Sequence, residues 1–472
     1  MILSPNINII TKEVSVSFKS IVIEKTRKEL SALSGLIFFN ELLNRFGFMS
    51  ELGKILPRMQ RVRGLAAKNK FKTAILAFIA GADCLDDLDD FREDKIFNEL
   101  CDGGAASTTM GKFLRRFRLK EIEQIQNFLP KFCLKLRHKF SIRDERFIIT
   151  MDATGHKQYG VKMEGVEFDG HKKQMGLSSQ NAFDQYGFCY GWDLRRGATH
   201  SSVGASNMIQ KIFSAIPKDA PRYFRADSAY GNVETYNTLF VHDVKFTICL
   251  SEVVWGPLLE QQEFKMPWSK TKLQFFINKD DLESGQRRQC QMANCFYVNK
   301  GLRGRSFLRV VFIRAKKRVV TKEDKRHYDY YAIITNIGES EMKNEKIITF
   351  YRQRANCENF IKDLKYGMDF LHFPCQKLNA NRAWGLMGIF AYNLMRFASF
   401  IVAPETGCFL KRVRRRMVYL ASEIRQGQRK IVIRFSNHIY QEVTRLSGAI
   451  HKLFTSLRIF PALAIDRHTT PL

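Results

Sequence analysis

Between Glu24 and Arg137 apolar residues recur three and four positions apart, as in LIFFNELLNRFGFMSEL and KTAILAFIAGADCLDDL, a spacing that predicts amphipathic helices. A helical N-terminal domain over residues 1–140 is therefore expected. Near residue 146 the period changes. RFIITMDATG, FDQYGFCYGWDLRRG and APRYFRADSAYG predict strands bounded by Gly and Asp turns, with SNMIQKIFSAI a helix before the last of them. From 251 to 327 short β-rich runs (LQFFINK, CFYVNK, SFLRVVFIRA) alternate with polar turns, which predicts an all-β insertion. HYDYYAIITNI then returns to a buried strand, and a long helix comes after it. The C-terminal stretch opens on the basic run KRVRRR, continues with two possible strands (MVYLA and KIVIRF), and closes on an amphipathic helix, HIYQEVTRLSGAIHKLF. The expected class is α/β: a core over 146–250 and 328–405, the β-strand insertion 251–327 within it, and a basic region over 406–472.

The longest apolar run, GLMGIFAYNLMRFASFIVA, approaches the ~20 residues a bilayer span needs, but Asn393 and Arg396 interrupt it. It is expected to be a buried helix, and no membrane contact is expected. The opening MILSPNINIITKEVSVSFKS has neither an early basic stretch nor a compact apolar segment with a small-residue cleavage site, so a cytoplasmic location is expected. The ten cysteines are scattered; the closest pair, Cys290 and Cys295, has no CxxC spacing, which favours reduced thiols and argues against zinc.

Composition adds a partner. With 76 Lys and Arg against 47 Asp and Glu the formal charge is +29, on a chain that is 45% hydrophobic. A core of that content excludes disorder, and the charge points to a polyanion, nucleic acid first. Within the helical region Asp83, Asp86, Asp87, Asp89, Asp90, Glu93 and Asp94 form an acidic patch. Beyond the turn DGGAAST, Lys112, Arg115, Arg116, Arg118 and Lys120 are expected on one basic helix, capped by Ser107, Thr108 or Thr109. Two helices joined by that turn are compatible with a helix-turn-helix whose Arg115 and Arg116 contact DNA; a solvated helix face fits equally.

Asp152 and Asp227 each end an apolar strand. An acid there is either a turn former or a group exposed in a cleft or on a metal. The helix FYRQRANCENFIKDLKYG carries Tyr351, Arg354, Glu358 and Lys365 at steps of three, four and seven, which an α-helix gathers within roughly 60° of arc. A solvated stripe does not explain an acid set among a Tyr, an Arg and a Lys, all suited to phosphate. Two strand-end aspartates and a helix glutamate are a donor set for two Mg²⁺ ions ~3.5–4 Å apart, as in-line phosphoryl transfer uses, with Mn²⁺ a possible substitute.

MDATG, RADSAYG and YxxRxxxExxxxxxK together resemble the DDE transposases of bacterial insertion sequences, in particular the cut-and-paste superfamily with the Tyr-Arg-Glu-Lys signature. ITNI before the helix and AYNLMRF after it are similar to family segments as well, so the resemblance spans about 25 to 435. It implies a ribonuclease-H-like core with Asp152, Asp227 and Glu358 as catalytic metal ligands. It also implies phosphate contacts from Tyr351, Arg354 and Lys365, double-stranded DNA (terminal inverted repeats and target) as partner, and a homodimer that holds two element ends. In relatives an aromatic residue of the insertion stacks on or replaces a flipped base; Trp255 and Trp268 are the candidates here, with core packing the competing role. A nuclease on the same core and a transposase-derived DNA-binding protein without cleavage are the rival readings.

Overall fold

In the computed structural model of the protein, residues 15–16, 19–20, 25–59, 64–139, 145–160, 162–170, 173–304, 307–320, 326–428 and 430–455 are described. The opening stretch behind the expectation against export lies outside them, apart from the short antiparallel pair β1 (Ser15–Val16) and β2 (Lys19–Ser20). Residues 456–472 of the basic region also lie outside.

After β3 (Glu29–Ser31) the chain is helical: α1 (Leu36–Phe46), α2 (Phe48–Gly53), α3 (Ala67–Ala80), α4 (Asp87–Glu93), α5 (Lys95–Leu100), α6 (Ser107–Leu114) and α7 (Leu119–Lys139). The acidic patch supplies caps. The Asp94 carboxylate accepts from the first N–H groups of α5 (Ile96 and Phe97), and Asp89 accepts from Ser107 N–H at the start of α6. None of Ser107, Thr108 and Thr109 caps α6, whose cap position is Ala106. The expected basic helix is also corrected: α6 stops at Leu114, Arg115 and Arg116 stand in the turn after it, and Lys120 belongs to α7. A second helix starts there instead: the Glu121 carboxylate in the first turn of α7 accepts from Arg118 N–H, one half of a capping box.

A large mixed sheet comes next. Its first strands are β4 (Phe147–Lys157), β5 (Glu167–Asp169), β6 (Gln174–Phe183) and β7 (Cys189–Arg196); α8 (Ala205–Ala215) crosses to β8 (Arg222–Ala226), and α9 (Val233–Val241) to β9 (Lys245–Cys249). β4 pairs antiparallel with β6 and parallel with β8, and β8 parallel with β9. β6 is bordered on its far side by β7 and β5.

The stretch 251–327 is not all-β. It contains α10 (Glu252–Gln262), where Trp255 and Leu259 are buried one turn apart, and α11 (Lys279–Ser284), closed at its start by a reciprocal Asn278–Asp281 capping box. Its strands β10 (Ser269–Phe275), β11 (Arg288–Val298) and β12 (Phe307–Lys316) form no separate sheet. β12 pairs with β13 (Tyr328–Thr335), and β13 with β9, so ten strands among the described residues make one sheet in the order β10-β11-β12-β13-β9-β8-β4-β6-β5, with β7 on β6. Without β12 and β11, β13 would be an open apolar edge.

The last part holds α12 (Asn344–Arg352), α13 (Asn356–Lys362), α14 (Leu378–Val402), α15 (Leu410–Val413), β14 (Ser422–Gln426), β15 (Ile431–Arg434) and α16 (Asn437–Thr455). α14 is the apolar run, and it is almost wholly buried between the helical layer (α3, α6, α7) and β7. Its two polar interruptions bind the backbone of the β6–β7 hairpin: Asn393 pairs with both N–H and C=O of Cys189 at the start of β7, and Arg396 donates to Tyr186 O in the turn before it. MVYLA is not a strand; Arg414–Val418 continues α15 as a π-turn that buries Met417 and Val418. β14 then pairs with both β15 and β3, and Gly35 N–H donates to Val418 O, joining the two ends of the described chain. One apolar cluster runs from Leu33 through the sheet to Leu453.

Candidate active site

Asp152 lies inside β4 rather than at its end. β6 accompanies β4 as far as Lys157, whereas the parallel neighbour β8 stops at Ala226, so Asp152 stands where the β4–β8 pairing ends. The register Thr150↔Arg225 and Met151↔Ala226 sets Asp152 level with Asp227 on adjacent strands, about 4.8 Å apart between strand axes. Asp227 closes β8, and its Oδ1 accepts from Ala229 N–H at the head of a short 3₁₀ turn. The two aspartates thus come together from segments 75 residues apart because the sheet pairs them.

The third acid comes from the helix. It is not one uniform α-helix: α12 ends at Arg352, residues 353–355 form a 3₁₀ turn, α13 comes next, and a π-turn occupies 363–367. α13 packs on β4 and β6. Arg354 Nη1 lies 3.3 Å from Asp152 Oδ2 and its Nη2 3.9 Å from Glu358 Oε1, so one guanidinium bridges strand and helix acids. Lys365 Nζ donates to Gly155 O, farther along β4. Tyr351 is buried against Tyr331. Of the four residues on this helix, Arg354 reaches Asp152 and Glu358, whereas Lys365 contacts the β4 backbone and Tyr351 packs on Tyr331.

Burial raises the Asp152 carboxyl to about 6; Arg354 opposes the shift, while the nearby charges of Asp227 and Glu358 add to it. Three hard oxygen donors with a surplus of negative charge fit a divalent cation. The acids are not drawn together to ligand spacing: among the described residues the three-member group with ligand atoms within 4.8 Å of one another is the partly exposed Asp83, Cys84 and Asp87. There the Asp87 carboxylate accepts from the Asp83 and Cys84 N–H groups.

Arg115 is exposed and Arg116 half-buried, both remote from the acids in sequence and set on the helical layer. The base-stacking candidates are both packed. Trp255 is buried against Phe312 and Tyr330, and Trp268 has the Arg314 guanidinium 3.8 Å above its ring and donates its Nε1–H to Glu263 O. Phe264, between them, is fully exposed. Arg225, two residues before Asp227 in β8, is a buried cation that no motif in the sequence singles out; its only signal there is a charge inside an apolar strand.

The chain matches the family described as Transposase DDE domain group 1 over residues 14–455. It is a DDE transposase by family. No curated protein matches it. Among solved structures the transposase is similar to a chain of the cryo-EM piggyBac transposase synaptic complex with hairpin DNA, at 9% identity and a TM-score of 0.40, covering 90% of this chain and 82% of that one. A likeness that loose carries no residue across. Membership makes this transposase a polynucleotidyl-transferase-type enzyme of a family that uses divalent metal ions.

Proposed function

We propose that the protein is the transposase of a bacterial insertion sequence, in the cut-and-paste superfamily with the Tyr-Arg-Glu-Lys signature. It binds terminal inverted repeats and catalyses metal-dependent strand cleavage and strand transfer. The observation that carries this reading is the bridging of Asp152 and Glu358 by Arg354, beside an Asp227 that the β-register holds level with Asp152. The antiparallel strands β4, β6 and β7, with the parallel β8 and β9 on the other side of β4, support a ribonuclease-H-like core.

Asp152, Asp227 and Glu358 would hold the metal, Mg²⁺ foremost with Mn²⁺ able to replace it. When bound it activates an attacking oxygen and stabilises the leaving one. Asp152 and Asp227 fix their side of the site through the sheet, while Glu358 approaches from the more exposed helix side. The excess of 29 positive charges suits a duplex partner, and a homodimer would hold two element ends for paired joining. A cytoplasmic, nucleoid-associated location agrees with that substrate.

The test incubates the full chain and Mg²⁺ with a labelled DNA fragment carrying the inverted repeat that flanks the gene. Wild type is expected to cut at the repeat boundary. Glu358→Ala is expected to bind the repeat and lose cleavage on the order of a thousandfold, as when a stabiliser of developing charge is removed. Binding without cleavage by both proteins would instead mark a DNA-binding derivative. Lys365→Met separates two roles for that side chain: a phosphate contact lowers the slope of log K against log salt by about one, whereas a purely internal tie to Gly155 leaves it unchanged.

A further inference from the structure

Residues on alternate positions of a strand share a face. Thr150 and Asp152 therefore share one face of β4, and Arg225 and Asp227 the matching face at the end of β8, with Thr150 paired to Arg225 one step below the two acids. Arg225 is 3% exposed. Its Nε donates to Thr150 Oγ1 at 3.2 Å, and its Nη1 to Phe350 O at 3.0 Å and Gln353 Oε1 at 3.4 Å, with the guanidinium 5.1 Å from the Phe350 ring centre. Burial lowers its pKa to about 10, so it remains cationic at neutral pH.

Phe350 O is one of the last four carbonyls of α12, which ends at Arg352 and leaves those groups without partners inside it. A cation at a helix C-terminus also meets the negative end of its dipole. Arg225 thus caps α12 from the strand below, at the point where the chain enters the 3₁₀ turn 353–355. Three residues wound at three per turn rather than 3.6 rotate the next helix by about 60° more. That helix is α13, which carries Glu358.

We propose that Arg225 is a positioning residue for the metal site: by holding the break between α12 and α13 onto β4 and β8, it sets the angle at which Glu358 faces Asp152 and Asp227. The inference rests on the assignment of those three acids as metal ligands. Arg225 touches none of the reacting groups; it acts through Glu358.

The test measures Mn²⁺ binding to the full chain by electron paramagnetic resonance of the free ion, in wild type, Arg225→Gln, Glu358→Gln and the double variant, with thermal melts on each. Arg225→Gln is expected to weaken Mn²⁺ binding about tenfold, the lower end of what outer partners of a metal site contribute. In the Glu358→Gln background the same change is expected to have no further effect. An equal loss in both backgrounds, or no loss in either, overturns the proposal. If Arg225→Gln does not fold, Gln353→Ala, at an exposed position, removes one acceptor of the cap and is judged by the same non-additivity. Glu358→Gln binding Mn²⁺ as tightly as wild type would instead overturn the metal-site assignment on which the proposal stands.

Discussion

Asp152→Asn is expected to abolish strand cleavage and, in the same molecule without metal, to raise the melting temperature at pH 7.5. The two effects share a cause. In the folded chain burial, with Asp227 and Glu358 nearby, holds the Asp152 carboxyl at about 6 against an ordinary 3.8, even though Arg354 favours its charged form. A group whose folded pKa is raised binds its proton more tightly when folded, so its contribution is fully present below about pH 4 and is lost as pH rises through about 6. At pH 7.5 the charged carboxylate costs up to about 3 kcal/mol. Asparagine carries no such cost and offers a much poorer donor to a hard cation. Melts in EDTA at pH 5 and pH 7.5 check this: the gain of the variant over wild type should be larger at the higher pH, and equal gains would mean that the site does not strain Asp152. Added Mg²⁺ should stabilise wild type more than the variant, since a ligand that binds only the folded state adds to stability.

Gly385→Ala is expected to be the most damaging single methyl in the chain's central helix. A Cβ there would stand 2.0 Å from Cη2 of Trp192, a buried ring of β7, and α14 cannot withdraw without breaking the Asn393 and Arg396 bonds to the β6–β7 hairpin. Overpacking of this kind costs about 3 kcal/mol or more, well above the ~1 kcal/mol that alanine gains over glycine in a helix. Gly448→Ala in α16 has the opposite sign, because no atom lies within 4 Å of its added carbon and only the helix gain remains, about 1 kcal/mol. Urea melts of the two variants against wild type check both, and destabilisation by Gly448→Ala would mean that α16 packs against something further.

Much of this was legible in the sequence where a local signal and a tertiary role coincide. Asn393 and Arg396 break an apolar run too sharply for a membrane, and the structure uses both on the backbone of the β6–β7 hairpin. Asp152 and Asp227 stand out because acids are costly next to strands so apolar, and helix spacing groups Tyr351, Arg354, Glu358 and Lys365 on one face, while only the resemblance to a family marks them as a signature. The helix itself is less regular than spacing implies, since a 3₁₀ turn at 353–355 and a π-turn at 363–367 interrupt it and neither leaves a mark in the polar pattern. The insertion was misjudged for a related reason: short β-rich runs predict strands, but which sheet they join is decided by the free edge of β13, and α10 packs by Trp255 and Leu259 in a segment with little periodicity. The basic run around Arg115 reads as one helix because charge and apolar spacing continue through it, while the break is set by Glu121 capping the Arg118 N–H at the start of α7.

The pairing of β3 with β14 has a consequence for synthesis. Ser31 leaves the ribosome early, but its partner Ser422 emerges about 390 positions later, which at 5–20 residues per second is a delay of tens of seconds. Until then β3 lacks its partner β14 and Gly35 has no Val418 carbonyl to reach. A chain released early, even with all three acids and α14 complete, therefore lacks the clasp between its ends, so messages cut short yield fragments that hold the three acids without the closure around them.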